Sequence, residues 1–199
     1  MAGVLYSLVA LGFVLIYKAS GVFNFAQGSM VLFAALSFVR LLDILKGTFA
    51  PMLLALAITI VLMIVLALVV ERLVLRPLVN QPAISMFMAT LGIVYFLDGF
   101  GQAIWGSDIY TLDVGIPKEP MLLFESVFDG GVLVSSEDLV AALVAGILVA
   151  TLAVFFQRTR IGRALRAVAD DHQAAQSVGI PLNYIWVIVW TVAGLVALM

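Results

Sequence analysis

Asn24 and Gln27 stand three residues apart in the segment Lys18-Ala19-Ser20-Gly21-Val22-Phe23-Asn24-Phe25-Ala26-Gln27-Gly28-Ser29, between two long apolar runs. Primary amides offer donors and acceptors but no nucleophile. The chemistry open to them is hydrogen bonding, either to a polar solute or to the chain's own backbone. At this spacing one helical turn puts both on one face, and Gly21 and Gly28 permit a break at either end. Irregular backbone at membrane depth survives only where protein buries it or water lines it, and broken helices commonly frame transport sites. Asn24, Phe25, Gln27 and Gly28 are therefore candidates for lining a solute path. Spacing taken alone favours a snug reverse turn at the inner surface.

Asp98 is a second polar position, near the outer end of the apolar run Ala83–Trp105. Acids inside membrane helices are costly and are usually functional or paired. Flanking Gly99 and Gly101 would let another helix approach closely. Asp98 is thus a further candidate for the path; reaching water at the outer interface explains it equally well.

The third constellation is Gln157–Pro181, a basic then acidic, Ala-rich segment set between two apolar runs. Arg158, Arg160, Arg163 and Arg166 follow a membrane run directly, which assigns them to the cytoplasm. Residues Ile161–Val178 have helix-forming composition, with Gly179 and Pro181 placed to end the helix. A short cytosolic helix between two spans suits docking to a soluble partner through Gly162, Arg163, Arg166, Asp170, Asp171, Ala174, Ala175 and Gly179. An ordinary surface loop is the alternative. Glu71-Arg72 with Arg76-Pro77-Leu78 reads as a positively charged cytosolic linker, with Pro77 stopping a helix.

Several chemistries are excluded. With no cysteine there is no disulfide, thiol catalysis or Cys-type zinc site. The single His172 has no second ligand at metal-binding spacing. There is no P-loop, Ser/His/Asp set or His-Glu-x-x-His motif. Net charge is −2, without a basic patch carrying interleaved aromatics, so no nucleic-acid partner is expected.

The elements that must position these residues are membrane helices. Hydrophobic residues make up 64% of the 199-residue chain and charged residues 11%, where soluble domains carry about 25% charged residues; mean hydropathy is +1.21. Six runs approach the length needed to cross a bilayer: Met1–Tyr17, Ser29–Leu45, Phe49–Val70, Ala83–Trp105, Leu139–Phe156, and one from Leu182 to Met199. The first reads as a membrane helix rather than a cleavable signal, lacking a basic leader and a small-residue cleavage site. The chain stops inside the last run, and truncation at the C-terminus is expected.

If the spans alternate, Lys18, Glu71–Pro82 and Arg158–Pro181 lie inside. The N-terminus and the acid-rich Ser107–Asp138 connection then lie outside. Arg40 and Lys46 run against this rule on a short outer turn beside Asp43. Within the outer connection, Gly115-Ile116-Pro117, Asp129-Gly130-Gly131 and Val132-Leu133-Val134 predict short strands or turns.

Three motifs resemble the LivH-type permeases, membrane subunits of ABC importers for branched-chain amino acids, with relatives importing urea and amides. They are Ile16–Gly28, the Glu71-Arg72…Arg76-Pro77-Leu78 linker, and Thr159–Ala167 followed by Asp170-Asp171, Ala174-Ala175 and Gly179-Ile180. The last is similar to the loop by which ABC permeases dock on their ATPases. The resemblance covers essentially the whole chain. It implies an all-α polytopic helix bundle with a broken helix near residues 20–28, a cytosolic coupling helix and one permease domain over residues 1–199. It implies a multi-pass protein of the bacterial inner membrane that is no enzyme and needs no cofactor. Its partners would be a second permease subunit, two cytosolic ATP-binding subunits and an external solute-binding protein. Many members have His where Gln27 stands, so no imidazole role carries over, and the family continues through further helices. An ion-coupled secondary transporter or channel using Asp98 is the rival reading.

Overall fold

The computed structural model describes residues 2–21, 23–78, 81–108, 110, 120–123 and 132–198. Each apolar run becomes a helix: α1 (Ala2–Ser20), α2 (Gln27–Ile44), α3 (Pro51–Val69), α4 (Ala83–Trp105), α5 (Ser136–Arg158) and α8 (Leu182–Leu198). Two shorter helices, α6 (Arg160–Asp170) and α7 (His172–Ser177), lie between α5 and α8. Gln27–Ile44, Pro51–Leu78, Ile84–Trp105 and Leu139–Arg158 are long and apolar enough to cross a membrane, while α1 and α8 carry shorter apolar stretches. The architecture is an all-α polytopic membrane fold.

The core is organised around α8, which packs against α1, α2 and α3. Its buried residues Ile185, Trp186, Val189, Trp190, Ala193, Val196 and Ala197 recur at three- and four-residue steps, one helical face. Against it α3 presents Ala55, Thr59, Met63 and Ala67, four apart and all buried. Small residues at such a seam let backbones close up. A Cβ on Gly194 would stand 3.3 Å from the Met63 carbonyl oxygen. By contrast α5 is almost entirely at the periphery, Ala145 alone being buried among its described residues.

Two expectations are corrected. The third helix does not end at Val70. It continues as a π-helical turn, Val70–Leu75, and a 3₁₀ turn, Arg76–Leu78, burying Val70, Glu71 and Leu75. The single helix expected over Ile161–Val178 is two, broken at Asp171. The Asp171 side chain accepts from Ala174 N at 3.0 Å, so this residue caps a new helix instead of continuing the old one.

In the outer connection, β1 (Pro120–Leu123) and β2 (Val132–Ser135) form an antiparallel pair, with Met121 opposite Val134. This agrees with the strand expected at Val132–Val134. Gly115–Pro117 and Asp129–Gly131 lie outside the described residues. The exceptional Arg40 has a local partner, its guanidinium lying 5.2 Å from the ring centroid of Tyr110. Lys46 pairs with Asp43.

Candidate functional site

The break between α1 and α2 begins at Gly21, whose φ of +70° ends α1 in a conformation that favours glycine. Asn24 then folds the chain back: its side-chain oxygen accepts from Ala26 N at 3.1 Å, an Asx turn, and its carbonyl accepts from Gln27 N at 3.3 Å. The Asn24 amide donates to Gln27 Oε1 at 3.3 Å and approaches Met30 Sδ at 3.9 Å. Gln27 in turn donates to the Ala193 carbonyl of α8 at 3.3 Å.

Both side chains are fully buried. A Cβ on Gly12 of α1 would collide with the Gln27 amide. Gln27 therefore joins α1, α2 and α8 at one point; Asn24 reaches it from the turn before α2, not from a helical face shared with it. Much of their hydrogen-bonding capacity is spent within the chain.

Asn24 still borders a small void of about 10 Å³, lined also by Ile16, Leu75, Met86, Thr90, Trp186 and Trp190. That is room for about one water. The wall carries polar groups of its own. Thr90 Oγ1 donates to Phe87 O at 2.8 Å, and buried Trp186 Nε1 has no acceptor among the described residues. The lining comes from the ends of α1, α4 and α8 with the π-turn, so the void marks a closed convergence of helices.

Phe25 and Gly28 are exposed at the rim of the turn, Phe25 meeting the Phe87 ring edge-on at 5.0 Å. Asp98 is half-buried on α4 and does not line the void. Of its neighbours, Gly101 rests against Phe33 of α2, whereas Gly99 faces open space. The structure thus brings Asn24 and Gln27 together and leaves Asp98 apart.

The π-turn holds a pair that sequence reasoning took for a surface linker. Glu71 is 1% exposed and accepts from Arg76 Nε at 3.1 Å and Nη2 at 3.0 Å. Arg76 N also bonds back to Glu71 O, the i→i+5 pattern of a π-helix. An α-helix advances 100° per residue and would turn residues five apart to widely separated faces. The wider turn stacks them. The signal was present in a Glu and an Arg five apart at the end of a long apolar run. Hydropathy reads those charges as the end of a span.

On the other polar segment, α5 turns into α6 at Thr159. Its hydroxyl donates to Phe155 O at 2.7 Å and accepts from Gly162 N at 3.0 Å, an N-cap. A Cβ on Gly162 would coincide with the Phe156 backbone, so only glycine fits this corner. Helix α6 is amphipathic: Gly162, Leu165 and Val168 are buried, and Arg160, Arg163, Arg166 and Asp170 are exposed. Helix α7 closes in a Schellman motif, Gly179 N to Gln176 O and Ile180 N to Ala175 O, both 3.0 Å, with Gly179 at φ +84°.

Of the predicted docking residues, Arg163, Arg166, Asp170, Asp171, Ala174 and Gly179 are exposed. Ala175 is not. It is 2% exposed and belongs to the chain's own core, seven residues beyond buried Val168 and so on the side of the segment that faces the bundle.

Over residues 1–199 the chain matches the family described as branched-chain amino acid transport system, permease component. It is 25% identical to the high-affinity branched-chain amino acid transport system permease protein BraD of Pseudomonas aeruginosa, over 98% of this chain and 64% of that protein. It is 28% identical to the LivH permease protein of the same description from Escherichia coli K12, over 89% of this chain and 59% of that one. A probable LivH permease of Methanocaldococcus jannaschii is 29% identical over 96% and 59%. The chain thus spans about three fifths of the length of these curated relatives. No solved structure matches.

Proposed function

The chain belongs to the family of permease components of branched-chain amino acid transport systems, and on that premise we propose that residues 1–199 are the membrane-embedded permease part of an ABC importer for branched-chain or related amino acids. Its partners in this reading are a second permease subunit, two cytosolic ATP-binding subunits and an external solute-binding protein, assembled in the inner membrane. The permease performs no covalent chemistry and needs no cofactor. ATP binding draws the ATPases together, the α6–α7 unit follows, and the bundle exchanges one open side for the other by a shift in population.

The observation that carries the reading is the capped, amphipathic α6–α7 unit set between two apolar helices in a chain matching the permease family from end to end. The closed void beside Asn24 supports a bundle held shut where α1, α4 and α8 meet. Asn24 acts there by holding the turn shut, with Gln27 as its anchor. The exposed face of α6–α7, led by Arg163 and Ala174, engages the ATPase in a groove.

The test is retention of the system's ATP-binding subunit on the affinity-tagged chain in detergent, repeated with Arg163→Glu. Arg163 is exposed, so the reversal leaves the fold intact and opposes the partner's charge at the interface. Retention by the unaltered chain and a tenfold or greater loss in the variant are expected. No retention by the unaltered chain, or equal retention by both, rejects the docking role.

A further inference from the structure

Where the C-terminal end of α1 meets α6, a crevice of about 430 Å³ opens at the surface, and its walls include Tyr17, Lys18, Gly21, Arg166 and Asp170. We propose that this crevice is a binding site for the head group of an anionic phospholipid of the inner leaflet. The inference goes beyond the import reading and requires that the bundle sits in a bilayer with the C-terminal end of α1 on the cytoplasmic side.

Lys18 and Arg166 are both exposed. They come from sequence positions far apart, yet they line one concavity. Asp170 is the single acid among its lining residues, so the wall carries one net positive charge. That balance suits a phosphodiester on the two cations, with Asp170 left to accept from head-group hydroxyls. The guanidinium offers a planar fork for phosphate oxygens, and the ammonium a point charge.

Apolar surface beside the crevice favours a lipid over free phosphate. Tyr17 stacks on Phe23 at 4.5 Å, Phe23 lies 5.4 Å from Phe13, and Phe25 meets Phe13 at 6.4 Å. Phe23 and Phe25 remain exposed. Tyrosine populates the membrane–water interface and exposed phenylalanines sink to the headgroup–acyl boundary; here the rings lead from the cationic wall along α1. Basic pockets between membrane helices on the cytoplasmic side recognise anionic head groups by this combination.

The experiment titrates the full chain in detergent micelles with palmitoyl-oleoyl phosphatidylglycerol and counts bound lipid by native mass spectrometry. Lys18→Gln and Arg166→Gln should each weaken binding about fivefold, and together by more than tenfold. Lys18→Arg should restore it, and Arg160→Gln, outside the crevice, should change it less than twofold. Equal losses at Arg160 would mean a diffuse basic surface and would overturn the site. Binding of phosphatidylcholine or phosphatidylethanolamine as tight as phosphatidylglycerol would overturn the charge assignment. Full competition by glycerol 3-phosphate at equal concentration would identify a soluble phosphate as the ligand and overturn the lipid.

Discussion

At the residue scale, Gln27 concentrates more consequence than any other polar side chain in the bundle. One amide receives a bond from Asn24, gives one to the Ala193 carbonyl, and lies where a methyl on Gly12 would stand. Hydrogen bonds between membrane helices contribute about 0.6 kcal/mol on average and at most about 1.7. Gln27→Leu, which keeps much of the volume, should therefore lower stability by about 1 kcal/mol. Gly12→Ala should cost about 1–3 kcal/mol, because the added methyl displaces the amide from a filled site. Unfolding midpoints in detergent would check both, and a Gly12→Ala chain as stable as the original would show that Gln27 has room to retreat. The pairing of Asn24 with Gln27 was legible from their spacing of three. Their burial was not, since it depends on Ala193, 166 residues away.

At the scale of the element, the π-turn Val70–Leu75 decides whether Glu71 is tolerable. Removing one partner of a buried ion pair costs about 3–5 kcal/mol, whereas replacing both with apolar groups is often neutral. Arg76 is partly exposed, with 37% of its side chain accessible, which places the loss at the lower end. Arg76→Met should thus lower stability by about 3 kcal/mol, and Glu71→Leu with Arg76→Met should recover most of the loss in a double-mutant cycle. Additive effects would mean that the two groups act separately. Glycine at the end of α7 offers a smaller test: Gly179→Ala puts a Cβ at φ +84° and should cost about 1–2 kcal/mol, read as a lower melting temperature. Apolar runs and terminators predicted these helices well because each signal is local. The extra residue in the π-turn escaped because it depends on which face the next element requires; the break escaped because Asp171 reads as well on a helix surface as at a cap.

At the scale of the whole molecule, the six apolar runs all became helices, and the arginine–acid asymmetry still supplies the expected orientation. The chain has no native cysteine, so single introduced thiols report cleanly. Ser107→Cys, exposed just beyond α4, should react with an impermeant maleimide added to intact cells; Ser177→Cys, exposed on α7, should react only after permeabilisation. The reverse pattern would invert the topology and move the basic crevice to the outer leaflet. The centrality of α8 was not visible in hydropathy, which ranks α3 higher. What buries α8 is shape: Ala193, Gly194 and Ala197 admit the neighbouring backbones closely.

The corner between α5 and α6 has a mechanical meaning. Thr159 bonds to both helices, and Gly162 leaves no gap against the Phe156 backbone. A joint without slack works as a crank: torque applied along α6 reaches α5 as rotation, with little lost to bending.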